Sequence, residues 1–226
     1  MKTVLQFAWS SRILHWLMAA MVLPMLLIGM AMVASVTDYH RLVSLHRPLG
    51  IAILVLVVIR FINRQLAPPP AFLATMSPLE RLAAIWSERL MYALLFALPL
   101  IGWGMLSAAR YPIVLAGRLH LPWILPESQE VYTALRRSHT ALAYLLFFAF
   151  MAHLSAVLFH TLVLRDGLLL RMAPWKVGPP RAAVAARATP SDHPHASPEA
   201  PGDHDSDHDA VRPHRRAEEE DRSARH

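Results

Sequence analysis

Four long apolar stretches dominate this chain of 226 residues, and each is long enough to cross a lipid bilayer as a helix. A spanning helix needs about 20 mostly apolar residues, because the hydrocarbon layer is about 30 Å thick and a helix rises about 1.5 Å per residue. The stretches run from about Val4 or Ser11 to Val36, from Leu45 to Phe61, from Leu90 to Ala109, and from Thr140 to Leu164. We therefore expect an all-α membrane protein, a bundle of four transmembrane helices whose first helix is not a cleaved signal peptide.

The composition narrows the chemistry that such a bundle can hold. Hydrophobic residues make up 55% of the chain, and there is no cysteine. The lack of cysteine excludes disulfides, iron–sulfur clusters, thiolate zinc sites and covalent c-type haem attachment. No basic face with interleaved aromatic residues is found outside the apolar stretches, so nucleic-acid binding is not expected. A redox metal would have to be held by histidine, methionine or carboxylate.

Histidines inside the apolar stretches are the candidates for that role. His139 and His153 are fourteen residues apart on one predicted helix. At about 100° per residue they share one helix face, and they are separated by about 21 Å along the axis. This distance is too long for one metal ion, but it suits two flat cofactors stacked across the bilayer, each with an axial imidazole.

The direction of the helices pairs these histidines with two others by depth. With both termini in the cytoplasm, His46 and His139 both lie where their helices enter the membrane from the outer side. His15 and His153 then both lie in the inner half of the membrane. Two haems b, each held by two histidines, are therefore predicted with the pairs His46 with His139 and His15 with His153.

His160 is a second candidate on the inner side, because it follows His153 by seven residues and points nearly the same way. If the first helix begins at Ser11 rather than Val4, His15 would match His160 better in depth. With His153 as the ligand, His160 lies at the membrane interface, where it suits proton delivery to a bound quinone.

The basic residues near the helix ends predict the orientation. With both termini in the cytoplasm, ten arginines and lysines lie on the inner side and six on the outer side, which agrees with the positive-inside rule. A long outer loop of 29 residues is predicted from Arg110 to Ser138. Several arginines flank the presumed outer haem and are candidates for steering an anion toward it: Arg47, Arg110, Arg136 and Arg137.

The composition changes abruptly after Val177 to Pro, Ala, Asp, His and Arg, without any apolar period. We expect a membrane domain over residues 1–176 and a disordered tail over residues 177–226. Alternating His and Asp between Asp203 and Asp209 could chelate a divalent metal, although a solvated low-complexity tail is the favoured interpretation.

Several stretches resemble the bacterial cytochrome b561 family, whose best understood members act as superoxide:quinone oxidoreductases. The resemblance covers about Leu5 to Lys176 and lies in these stretches: Ile13–Leu17, His46 with Gly50–Arg60, Tyr92–Gly102, His139–His160 and Leu169–Pro174. The family's haem ligands carry over onto the four paired histidines, His15, His46, His139 and His153.

The resemblance implies an electron-transport oxidoreductase of the bacterial inner membrane. Two haems b would carry electrons between an outer-side donor, with superoxide favoured, and a membrane quinone. One alternative is the cytochrome b subunit of a hydrogenase or dehydrogenase complex, which would need a redox partner subunit. Another alternative, from a different class, is a metal-handling membrane protein without haem, whose His-rich tail collects metal.

Overall fold

Four long helices make up most of the computed structural model, which describes residues 6–73, 75–115 and 119–176. They are α1 (Trp9–Ala34), α2 (Tyr39–Leu66), α3 (Pro78–Ala108) and α4 (Gln129–Phe159). Each is long and apolar enough to cross a membrane, the fourth with its continuation to Leu164. The prediction of an all-α, four-helix membrane bundle is confirmed. Within the described residues, the strands are one antiparallel pair of two residues each, β1 (Val114–Leu115) and β2 (Leu119–His120).

Three of the helices begin well before the apolar stretches that predicted them. Helix α4 starts at Gln129, so the predicted outer loop from Arg110 to Ser138 is wrong over its last ten residues. The Oγ of Ser128 accepts a hydrogen bond from the amide of Val131 at 3.3 Å and thereby caps α4. Hydropathy detects the apolar middle of a helix, whereas capping side chains of this kind set its polar ends.

Helix α3 begins with a reciprocal capping box. The amide of Glu80 donates to Ser77 Oγ at 3.3 Å, and the amide of Ser77 donates to Glu80 Oε2 at 2.7 Å. Pro78 occupies the first turn, where its missing N–H costs nothing. The stretch from Glu80 to Glu88, which precedes the third apolar stretch, is therefore the first part of α3 itself. Glu88 also ties α3 to α2, because Arg64 donates to both of its carboxylate oxygens, at 2.7 and 2.9 Å.

An apolar core lies between the middles of the helices and is supplied by all four of them. Helix α1 packs mainly on α2 and helix α3 on α4, while α1 and α4 touch over only a short stretch. Leu146 is the buried residue of α4, seven residues from both His139 and His153. The other buried members are Met18, Val22, Ile53, Leu56, Val57, Leu94, Leu95 and Leu98. Many apolar side chains point outward instead, as a lipid-facing surface requires.

The two ends of the bundle differ, and we name them by what they carry. The hairpin end carries β1 and β2. The terminal end is where residues 6–16 meet residues 170–175 through hydrogen bonds. There the amide of Phe7 donates to the Arg171 carbonyl at 3.1 Å, and Arg12 Nη1 donates to the Ala173 carbonyl at 3.0 Å. Gln6 Nε2 donates to the Trp175 carbonyl at 3.1 Å, so both limits of the described chain lie at this end.

A short irregular segment closes the terminal end after α4. A π-helical turn, His160–Leu164, is followed by a 3-10 turn, Leu169–Arg171. The Arg171 side chain is buried and donates to the Ala71 carbonyl at 2.6 Å. Its burial lowers the pKa of the Arg171 guanidinium from its ordinary value. The predicted disordered tail, residues 177–226, lies outside the described residues, and so does its His- and Asp-rich run.

Candidate functional site

The first histidine pair lies toward the hairpin end, and we call it the hairpin-level pair. The ring centroids of His46 on α2 and His139 on α4 are 6.1 Å apart, with the ring planes at 69°. His46 is seven residues into α2, and His139 is ten residues into α4. Neither opens its helix as the apolar pattern suggested. Both are displaced inward by two to three turns, so their depths still match.

The second pair lies toward the terminal end, and we call it the terminal-level pair. The ring centroids of His15 on α1 and His153 on α4 are 6.4 Å apart, with the ring planes at 60°. His153 follows His139 by fourteen residues on α4, so about 21 Å of helix separates the two levels. Between the candidates His153 and His160, the structure brings His153 to face His15.

Both ring spacings fit two imidazoles on one metal ion. A metal–nitrogen bond of about 2.0 Å to each imidazole, and about 1.1 Å from nitrogen to ring centre, place the two centres about 6.2 Å apart. The observed centroid distances are 6.1 and 6.4 Å. Within the part of the chain that the structure describes, no three or more His, Cys, Asp or Glu residues form a group that could hold a metal ion. The donors therefore suit a planar cofactor that supplies the remaining ligands itself.

A cavity of about 1040 Å³ surrounds the hairpin-level pair. All four helices line it, and most of the lining is apolar, with Val22, Ile53 and Phe147 among the residues. Gly102 of α3 also lines it, and a Cβ atom there would lie 3.4 Å from His139 Cε1. A Cβ there would make an ordinary van der Waals contact, so α3 passes directly beside the imidazole at this residue. The volume and lining suit a large, flat, apolar group.

Two ring nitrogens at this level lack partners. The Nδ1 atoms of His46 and His139 are buried, and no described residue completes a hydrogen bond with either. The backbone of Leu98 lies beside His139 without completing such a bond. A buried nitrogen without a partner costs about 1–3 kcal/mol. The described residues thus leave polar groups of this level unsatisfied beside an apolar cavity, as is typical of a site that binds a further group.

A guanidinium lies beside the terminal-level pair. Arg60 Nη2 is 3.3 Å from His15 Nδ1, and Arg60 Nη1 donates to the Ser11 carbonyl at 3.5 Å. Arg60 is one of the ten basic residues counted on the inner side of the membrane, and that count gave no sign of this contact. The missed signal is its position fourteen residues after His46 on α2. This is the same interval that places His139 and His153 on one face of α4.

His160 is engaged by a carboxylate rather than by another histidine. Its side chain is buried, and His160 Nδ1 lies 2.5 Å from Asp166 Oδ2. Asp166 Oδ1 also accepts from the amide of Leu168 at 3.0 Å. The π turn and the left-handed backbone of Arg165, with φ of 50°, turn the chain back so that Asp166 reaches His160. Single π turns often mark functional positions in helices. Asp166 was also missed, although it lies only two residues after the last apolar stretch.

The four predicted anion-steering arginines occupy different surroundings. Arg47 and Arg136 line the cavity of the hairpin-level pair, and Arg136 Nη1 donates to the Tyr132 hydroxyl at 2.9 Å. Arg137 shares with Arg136 a shallow pocket of about 530 Å³ on α4. Arg110 lies over the Trp123 ring at 4.7 Å, and its Nε is 3.7 Å from Glu127 Oε2, so its charge is partly compensated.

Comparison with known proteins connects this geometry to a family. A family model described as prokaryotic cytochrome b561 matches residues 6–175, which include all four helices and both histidine pairs. The chain is 33% identical over 161 residues to cytochrome b561 homolog 2 of Escherichia coli (strain K12), covering 70% of this chain and 86% of that protein. It is 33% identical over 134 residues to the probable superoxide oxidase CybB of Yersinia pestis, covering 59% and 76%. Cytochrome b561 homolog 1 of E. coli (strain K12) is 27% identical over 138 residues, covering 61% and 78%.

Proposed function

The chain belongs to the prokaryotic cytochrome b561 family, and on that premise we propose that it binds two haems b, one held by each histidine pair. Membership makes it a multi-pass bacterial membrane cytochrome of electron transfer. The observation that carries the proposal is the ring spacing, 6.1 Å at one level and 6.4 Å at the other, on opposite sides of an apolar core. When bound, the haems supply one-electron transfer between the two sides of the bilayer.

We propose superoxide as the electron donor at the hairpin end. The excess of basic residues near the terminal end supports placing that end in the cytoplasm and the hairpin end outside. One relative of the chain is named a probable superoxide oxidase. Arg47 and Arg136 line the cavity around His46 and His139. Positive charge at such an opening attracts a small anion and raises its rate of encounter.

We propose a membrane quinone as the electron acceptor at the terminal end. Two superoxide ions lose one electron each and become dioxygen, and one quinone gains two electrons and two protons to become quinol. The protons come from the cytoplasmic side. The buried His160 and Asp166 pair, with 2.5 Å between Nδ1 and Oδ2, is suited to hold a proton there and pass it on.

Stopped-flow mixing of superoxide with the oxidised protein tests this function. We expect fast reduction of the haem bands, followed by their reoxidation when a quinone analogue is present. The matched control is His139→Ala, which should abolish the fast phase. Haem bands that do not respond to superoxide would contradict the proposed donor. If the haem bands do not respond and the protein is purified with a second subunit at fixed stoichiometry, the alternative is supported that the chain is the cytochrome b subunit of a larger complex.

A further inference from the structure

We propose that Arg60 is a positioning residue that acts through His15 and raises the reduction potential of the haem at the terminal level. This inference rests on the proposed placement of a haem between His15 and His153. It concerns a residue that lies outside both histidine pairs. The juxtaposition that carries it is the 3.3 Å between Arg60 Nη2 and His15 Nδ1.

The partner that Arg60 offers His15 differs from the usual partner of a metal-bound histidine. Such a histidine ordinarily donates its second ring N–H to a carbonyl, a carboxylate or water, which increases the electron density on the ligand. A guanidinium has five donors and no acceptor. Arg60 therefore cannot supply that support to His15, and it places a permanent positive charge beside the ring instead.

This charge is held in place and is not cancelled. Arg60 also contacts the Ser11 carbonyl, at 3.5 Å, and lies over the Tyr92 ring at 5.9 Å. In the part of the chain that the structure describes, the ion pairs are Arg64 with Glu88, Arg110 with Glu127 and His160 with Asp166, so none involves Arg60. The carboxylate of Glu88 on the neighbouring helix is taken by Arg64, through two hydrogen bonds.

A fixed cation stabilises the reduced form of a haem, which carries one positive charge less than the oxidised form. For unit charges about 7 Å apart at an effective dielectric constant of about 20, the interaction changes the equilibrium constant for reduction by at least about tenfold. At the hairpin level, by contrast, Nδ1 of His46 and Nδ1 of His139 have no hydrogen-bonding partner among the described residues, so no guanidinium occupies the position that Arg60 has beside His15. We therefore assign the effect of Arg60 to the terminal-level haem alone.

Potentiometric titration of the haem bands tests this inference in the purified full-length protein. Arg60→Gln removes the charge but keeps an amide that can donate a hydrogen bond. It should lower the equilibrium constant for reduction of one haem by at least about tenfold and leave the other unchanged. Arg60→Lys keeps the charge and should change that equilibrium constant by less than Arg60→Gln does. The matched control is the double variant Arg64→Leu and Glu88→Leu, which removes an ion pair one helical turn from Arg60 without a net change of charge. This control should leave the reduction potentials of both haems unchanged.

The same measurements separate a failure of this inference from a failure of the haem placement. If Arg60→Gln retains two haems and neither potential moves, the role of Arg60 is refuted while the placement stands. If His153→Ala still binds two haems, the placement itself is wrong. If the placement holds, His153→Ala loses the haem whose potential Arg60→Gln shifts. Adding Arg60→Gln to His153→Ala should then leave the potential of the remaining haem unchanged. Should Arg60→Gln fail to assemble, an unshifted potential in both Arg60→Lys and Arg60→Leu would equally overturn the inference.

Discussion

A histidine inside a bilayer is costly unless its ring nitrogens find partners. In this chain His15 and His153 face each other, and so do His46 and His139, with centroid distances that suit a shared ligand. His160 has a carboxylate partner in Asp166, whereas His40 and His120 are exposed. The histidines that are buried or half-buried thus fall into two classes by partner. Four of them face one another in pairs and are the proposed haem ligands, and one is paired with a carboxylate.

The arginines of the hairpin end separate by whether their charge is compensated. We expect the double variant Arg47→Gln and Arg136→Gln to slow the reduction of haem by superoxide, because both arginines line the cavity. The rate should also depend less on ionic strength, since the attraction between these charges and the anion is screened over about 10 Å at 0.1 M salt. Stopped-flow rates at several salt concentrations measure this. Arg110→Gln is the control with a smaller expected effect, since Glu127 already offsets that charge. A rate indifferent to both salt and the double variant would remove superoxide as the donor.

Asp166 orients His160 and belongs to the proposed proton path. We expect Asp166→Asn to slow quinone reduction by about tenfold or more, as loss of a general acid–base partner does, while haem content and reduction by superoxide stay at the level of the unmodified protein. Reoxidation of the haem bands by quinone is the measurement. An unchanged reoxidation rate would exclude the pair from the proton path.

At the scale of elements, apolar length predicted the four helices, and helix direction with depth predicted that His46 faces His139. For His15 the sequence left His153 and His160 as candidates, and the packing of the helices places His153 opposite His15. Helix ends were not predictable in this way, because side chains such as Ser77 and Ser128 set them locally. The contact of Arg60 with His15 depends on the packing of α1 against α2, although the spacing of Arg60 from His46 carried a signal. The approach of Asp166 to His160 depends on a π turn, which no apolar period reveals.

The capping box of α3 gives a stability prediction for one element. Ser77→Ala removes the side-chain acceptor of the Glu80 amide and should lower the free energy of unfolding by about 1 kcal/mol. The visible spectrum should not change, since Ser77 and Glu80 bond to each other and not to a histidine of either pair. Thermal unfolding in detergent measures this, with Ser87→Ala, inside the same helix, as the control. Equal stabilities of the two variants would show that the cap contributes nothing.

At the scale of the whole molecule, the antiparallel helices place one histidine pair near each end, and an apolar core lies between them. Leu146 on α4 and Ile53 on α2 mark the middle of this core. Leu146 is seven residues from both histidines of α4, and Ile53 is seven residues from both His46 and Arg60. The core thus separates two polar levels in an otherwise apolar bundle, as a path for electrons across a bilayer requires.

The chain after Val177 should be dispensable for this function. Its composition offers too little apolar surface to offset the entropy of ordering. We expect a protein truncated after residue 177 to keep its haem content, its spectrum and its rate of quinone reduction. Loss of haem on truncation would assign the tail a structural role that its composition does not predict.

The haem content of the purified protein tests the central claim most directly. A pyridine haemochrome assay against protein concentration should give two haems b per chain, because two histidine pairs with metal-compatible spacing lie at separate levels. His139→Ala and His153→Ala should each give one, whereas His160→Ala should keep two. One haem or none in the unmodified chain, or loss of a haem in His160→Ala with retention of both in His153→Ala, would contradict the pairing.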